Sequence, residues 1–178
     1  MTGHTPWQHA ITPADWAQMT RLHESAHVVA SEALGIPVID VWANVDRDVA
    51  HGGQYRNSTG DSQLQAVVYL IGAEGGSRHL REAGYPEGLV HHALGAIGAA
   101  DRGHAYRAAQ EAAVQGYPLD LACALQDART LLHADGFLAT ARRVAQVLAD
   151  RGDRLTGADV RAAIGTWHLR PDTVVRSW

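Results

Sequence analysis

Residues 12–37 read TPADWAQMTRLHESAHVVASEALGIP, and they carry the start, the apolar face and the end of one long helix. Thr12 is a typical N-cap, Pro13 suits the first helical position, and Asp15 is the acidic residue that follows. Gly35 and Pro37 end the helix. Between these signals, apolar residues recur at helical spacing: Trp16, Met19, Leu22, Ala26, Val29, Ala30, Ala33 and Leu34. The stretch predicts a helix with an apolar face that packs against a core.

An HExxH motif, His23-Glu24-Ser25-Ala26-His27, occupies the middle of this helix. Residues four apart lie on one helix face, so His23 and His27 can both offer a ring nitrogen to one metal ion. Glu24 is placed to reach a metal-bound water rather than the metal. The motif predicts a zinc hydrolase with Zn²⁺ as cofactor and Glu24 as the catalytic residue. Its alternative is a pair of ordinary helix histidines beside a solvated glutamate.

Hydrophobic patterns and turn residues predict the remaining elements. Breaks in which proline follows glycine by two positions, and one Asp-Gly pair, separate the helical patterns. β-branched residues indicate the strand. The predicted elements are a strand over 38–45, a second strand or edge loop over 51–55, and helices over 61–80, 89–115 (one or two), 120–133, 138–150 and 157–164. The predicted fold is mainly α (α+β), a helical metalloprotease domain with a small two- or three-stranded sheet. We expect one domain over 1–178, with an N-terminal arm over 1–11 and a C-terminal tail over 171–178.

Composition argues against several classes of partner. The 178 residues carry a formal net charge of −4, and all 15 basic residues are scattered arginines, so no nucleic-acid surface or basic membrane patch is expected. The longest apolar stretch, around 64–73, is too short to span a bilayer. A single cysteine, Cys123, suits a reducing compartment, and no secretory signal is evident at the N-terminus. A cytoplasmic protein is expected.

The chain resembles the peptidase domain of the FtsH-type zinc metalloproteases. The resemblance rests on the HExxH helix, on the break, strand and second strand that follow it, and on the helix segment Leu70-Ile71-Gly72-Ala73. It implies that two histidines and a downstream aspartate bind zinc and that the motif glutamate activates water to cleave peptide bonds. The chain departs from the family at Ala26, where glycine is usual, and at Gly76, where glutamate is usual. No phosphate-binding loop or membrane segment is evident, so the expected substrate is a peptide or an unfolded protein, with a homo-oligomer or a delivery partner left open.

The third zinc ligand is open in the sequence. Two imidazoles need a third protein group that leaves one position for water. In the family this aspartate opens a helix and has alanine four positions later, which both Asp120 and Asp101 satisfy. We predict Asp120, and Asp101 is the alternative because its distance from His27 is closer to the family's usual spacing. Asp127, Glu74 and a histidine are further alternatives.

The segment Val49–Tyr55 is the predicted substrate-binding edge. Zinc peptidases often hold an extended substrate against an exposed strand, and Gly52 and Gly53 would let its backbone approach closely. A plain hairpin is the alternative. Two other functions also stay open: a catalytically silent zinc-containing scaffold that acts as an interaction module, and a zinc hydrolase of a small amide.

Overall fold

The computed structural model describes residues 10–46, 53–57 and 62–168. Nearly all of the predicted arm and the whole of the predicted tail lie outside these residues. The helices are α1 (Pro13–Ala33), α2 (Ser62–Glu82), α3 (Glu87–Ile97), α4 (Ala99–Val114), α5 (Leu121–Leu132), α6 (Phe137–Asp150) and α7 (Gly157–Ile164). The strands are β1 (Val38–Ala43), β2 (Gly53–Asn57) and β3 (Arg154–Thr156). The predicted fold class, mainly α with a small sheet, is confirmed.

Helix α1 begins and ends where its sequence signals predict. The Thr12 side chain accepts a hydrogen bond from the Asp15 backbone N–H at 3.1 Å, and Pro13 is the first helical residue. Gly35 follows the helix with φ 75°, in the left-handed region that glycine tolerates. The sequence predicts one buried apolar face for α1, but the helix is buried on all sides in its middle, because every residue from 22 to 31 is buried. Helices α2 and α6 and strands β1 and β2 all contact α1, which is therefore the central helix of the fold.

Small residues let α1 and α2 approach closely. A Cβ added to Gly75 would lie 2.6 Å from the Cβ of Ala26, and one added to Gly76 would lie 3.2 Å from the Cβ of His23. Glycines in the middle of a helix cost free energy relative to alanine, so their presence indicates a packing requirement. The two helices pack along the HExxH segment.

The sheet has the strand order β2-β1-β3 and is antiparallel. Val41, at its centre, pairs with Tyr55 on one side and with Leu155 on the other. The sequence does not predict β3, because its three residues look like the turn before α7. The predicted capping box at the start of α7 is confirmed: Thr156 and Asp159 each accept from the other's backbone N–H.

Residues 89–115, predicted as one or two helices, belong to two helices. Gly98 separates α3 from α4, and a Cβ there would lie 2.8 Å from the Cβ of Ala73 on α2. The junction therefore packs directly on α2, which positions the start of α4 next to the HExxH helix. No helix among the described residues has both the length and the apolar character needed to cross a membrane.

Candidate metal centre

Three side chains from two helices meet at one point. The Nε2 atoms of His23 and His27 lie 3.1 Å apart. One carboxylate oxygen of Asp101, Oδ2, lies 3.1 Å from the His23 Nε2 and 3.3 Å from the His27 Nε2. Of all the described histidine, cysteine, aspartate and glutamate side chains, these three are the group that lies close enough together to hold a metal ion.

Helical periodicity brings each of these side chains to the centre. His23 and His27 are one turn apart on α1 and are both buried. Asp101 lies in the first turn of α4, at the head of a buried stripe that continues through Ala105, Ala108 and Ala112. Helix α4 packs on α2, and the Asp101 carboxylate extends to within 3.3 Å of both α1 histidines.

The spacing of the three atoms fits a zinc ion. Zinc binds imidazole nitrogen and carboxylate oxygen at about 2.0–2.2 Å, which in a tetrahedron separates neighbouring ligand atoms by about 3.3–3.6 Å. The distances here, 3.1–3.3 Å, are close to that value. Oδ2 of Asp101 is buried and has no hydrogen-bond partner among the described residues, although two ring nitrogens are near it. A cation between the three atoms would satisfy this oxygen.

The tautomer of His27 also suits a metal ligand. Its Nδ1 lies 2.6 Å from the backbone carbonyl oxygen of Val68 on α2. A carbonyl only accepts, so Nδ1 carries the proton and the lone pair of the neutral ring is at Nε2. This lone pair faces His23 and Asp101, and the carbonyl is the kind of outer partner that orients metal-binding histidines.

Burial and opposite charge act against each other at these three side chains. Burial alone would lower the pKa of His27, but the Asp101 carboxylate outweighs it and raises that pKa to about 8. Burial alone would raise the pKa of Asp101, but the His27 and His23 imidazoles outweigh it and hold the pKa well below its usual range. The centre thus holds an ionised carboxylate that attracts a positive charge.

Glu24 lies next to the three donors without being one of them. Its Oε1 is 3.8 Å from the His23 Nε2, and only 4 % of its side chain is exposed. Burial raises the pKa of Glu24, and the charge of Asp101 adds to this effect, whereas His23 and His27 oppose it. A buried carboxylate with a raised pKa beside a metal centre is suited to accept a proton.

The structure does not bring Asp120, the predicted third ligand, to the centre. Asp120 is the N-cap of α5, where it is exposed and accepts a hydrogen bond from the Ala122 backbone N–H at 2.8 Å. The alternative, Asp101, occupies the position beside the histidines. Asp127 is buried on α5, and Glu74 pairs with Arg129 at 3.1 Å; neither belongs to the cluster. The structure therefore places Asp101, and not Asp120, beside the two histidines.

The predicted substrate edge lies partly within the described residues. Gly52 falls outside them, whereas Gly53 begins β2 and pairs with Ala43 of β1. Tyr55, two residues later, stacks on the His27 ring with the centroids 4.6 Å apart. The described part of this segment is therefore next to a histidine of the cluster.

Sequence reasoning gave no role of its own to Tyr55, the last residue of the predicted edge, or to the two α2 residues that surround His27. Val68 supplies the carbonyl, and a Cβ on Gly72 would overlap the His27 ring, so only glycine leaves room for it. A signal for Tyr55 was present: it is two residues after Gly53, on the same face of the predicted strand. The role of Val68 has no sequence signal, because every residue has a carbonyl.

No protein-family model matches the chain, and a search of curated proteins finds no match to it.

Proposed function

We propose that this chain is a zinc-dependent metallopeptidase of the FtsH type. One observation carries the proposal: the ligand atoms of His23, His27 and Asp101 lie 3.1–3.3 Å from one another, with buried Glu24 beside them. Two imidazoles, one carboxylate and a neighbouring glutamate are the parts of a hydrolytic zinc site.

The residues of the chain have distinct roles in this proposal. His23, His27 and Asp101 hold the ion, and Val68 fixes the His27 ring through its carbonyl. Zinc, when bound, polarises the substrate carbonyl and makes water a better nucleophile at neutral pH. Glu24 accepts a proton from the attacking water as the new C–O bond forms. It then returns this proton to the leaving amine nitrogen as the C–N bond breaks.

Three protein donors favour a catalytic role over a structural one. Structural zinc is closed by a fourth protein ligand, whereas catalytic zinc keeps one position open. The described residues supply three donors at this centre. This supports an enzyme rather than a silent zinc-containing scaffold.

An extended substrate is favoured over a small amide by the position of β2. Within the described residues β2 pairs with β1 on one side only, so its other edge is free to pair with a peptide. Tyr55 brings this strand against His27. We therefore propose a peptide or an unfolded protein as the substrate, bound along β2.

Replacing Glu24 by glutamine tests the mechanism. Glu24→Gln removes the proton acceptor and leaves the three ligands intact, so zinc should stay bound while peptide hydrolysis falls by at least about 10²-fold. The measurement is cleavage of a random peptide library by the zinc-loaded protein, read by mass spectrometry, together with the zinc content.

Glu32→Gln is the matched control on the same helix. Glu32 accepts hydrogen bonds from the Val38 backbone N–H and from Arg161, and it is not part of the metal cluster. This variant should cleave like the original protein. Equal cleavage by the Glu24→Gln variant would exclude Glu24 from the mechanism, and no cleavage by the zinc-loaded original protein would contradict the proposed activity.

A further inference from the structure

The hydroxyl oxygen of Tyr55 is buried and has no hydrogen-bond partner among the described residues. Buried hydroxyl groups are ordinarily hydrogen-bonded, because leaving one unpaired costs free energy. Tyr85 illustrates the usual case in this fold: its hydroxyl donates to Asp15 at 2.7 Å. The unpaired Tyr55 hydroxyl therefore indicates a hydrogen-bond partner that the described residues do not provide.

The position of Tyr55 indicates which partner this is. Its ring lies at 24° to the His27 ring, with the centroids 4.6 Å apart, so the phenol belongs to the wall of the metal centre. Its strand, β2, has a free edge among the described residues. A peptide that pairs with this edge would lie alongside Tyr55, next to the centre.

The chemistry of a phenol narrows the role further. A phenol is protonated at neutral pH and can donate one hydrogen bond. Asp101 and Glu24 supply acceptors to the centre, whereas peptide hydrolysis also needs a donor for the carbonyl oxygen that becomes negatively charged as water adds. Such a donor stabilises the transition state more than the substrate, and losing one typically slows the reaction by about 10²–10³-fold.

We propose that the Tyr55 hydroxyl is a catalytic group that donates a hydrogen bond to the oxygen atom of the substrate carbonyl bound at the metal centre. This inference rests on the proposed function, since it assumes an open position at the ion. The ring has a separate role, which is to stack on His27. Tyr55→Phe removes the hydroxyl and keeps the stack.

The test measures binding of acetohydroxamate, a small metal-binding anion whose oxygens accept hydrogen bonds. The full chain is loaded with Co²⁺, whose visible absorption reports both the ion and the anion. The original protein should bind the anion, and Tyr55→Phe should bind it about 10–100-fold more weakly, as expected for a lost hydrogen bond to a charged group. Affinity for Co²⁺ itself should stay the same.

Tyr69→Phe is the matched control. Tyr69 is the next ring of the same aromatic group, 6.2 Å from Tyr55, and its hydroxyl is not one of the buried unpaired atoms. This variant should bind acetohydroxamate like the original protein. With a cleavable peptide, Tyr55→Phe should lower kcat and leave KM nearly unchanged.

Two results would overturn this inference and leave the proposed function standing. The first is equal acetohydroxamate affinity in the original and Tyr55→Phe proteins. The second is a loss of Co²⁺ affinity in Tyr55→Phe, which would make the hydroxyl a structural support of the centre. A third result, bound Co²⁺ that takes up no acetohydroxamate in any of the proteins, would mean that the ion has no open position. That result would overturn the proposed function and this inference together.

Discussion

At the scale of single residues, Gly72 determines where the His27 ring can lie. A side chain at this position would overlap the imidazole, and His27 is already fixed on its other nitrogen by the Val68 carbonyl. Gly72→Ala should therefore displace the ring and weaken zinc binding by at least about tenfold, the lower end of the effect of losing an outer partner of a ligand. Competition with a coloured zinc chelator measures this affinity.

Gly95→Ala is the control for a glycine-to-alanine change within a helix. A Cβ at Gly95 on α3 would meet no atom within 4 Å. This variant should bind zinc normally and gain about 0.5–1 kcal/mol in free energy of unfolding. Unchanged zinc affinity in Gly72→Ala would show that the ring position does not depend on this glycine.

The histidine pair of the candidate centre could be predicted from sequence, whereas the carboxylate beside it could not be fixed. Four-residue spacing on a helix is a local property, so His23 and His27 follow from the motif alone. A lone aspartate has no such spacing, and Asp120 has the features of a helix N-cap, which is its role in the structure. Buried alanines follow both aspartates at helical spacing, so the tertiary packing of α4, and not a local pattern, separates Asp101 from Asp120.

At the scale of elements, the contact between α1 and α2 depends on a pair of small residues. A Cβ on Gly75 would lie 2.6 Å from the Ala26 Cβ, closer than two such atoms can approach. Gly75→Ala should lower the free energy of unfolding by about 1–3 kcal/mol. Adding Ala26→Gly removes the opposing methyl group, so the double variant should be more stable than Gly75→Ala alone. Urea unfolding of the four proteins gives the coupling, and strictly additive effects would contradict direct contact.

In the proposed function, peptide binding depends on the edge strand β2. Valine is favourable in strands, so Gly53→Val should leave the fold and the zinc content unchanged. Its side chain would hinder the approach of a substrate backbone, and KM for peptides should rise. Peptide kinetics of the zinc-loaded variant measure the effect, and the same KM as in the original protein would place the substrate elsewhere.

Helices were easier to predict than the sheet, for physical reasons. Helices α1, α5 and α7 carry an end signal next to the helix itself, in the caps Thr12, Asp120 and Thr156. Strand β3 has three residues and exists because β1 offers a pairing edge more than 100 residues earlier in the chain. Such long-range pairing leaves little trace in a local sequence pattern.

At the scale of the whole molecule, a bound ion would join distant parts of the chain. His23 and His27 belong to the first helix, whereas Asp101 belongs to the fourth, and α2 lies between these helices. An ion that binds only the folded protein adds its binding free energy to stability. This gain is about 2.7 kcal/mol when the free ion is at 100 times its dissociation constant.

The most direct test of the metal centre is thermal unfolding with and without zinc for the original protein, Asp101→Ala and Asp120→Ala. Zinc should raise the Tm of the original protein by roughly 5–10 °C. Asp120→Ala should lose about 1 kcal/mol of stability with its cap and keep this response to zinc. Asp101→Ala should lose most of the response. A full response in Asp101→Ala, or its loss in Asp120→Ala instead, would contradict a zinc site formed by His23, His27 and Asp101.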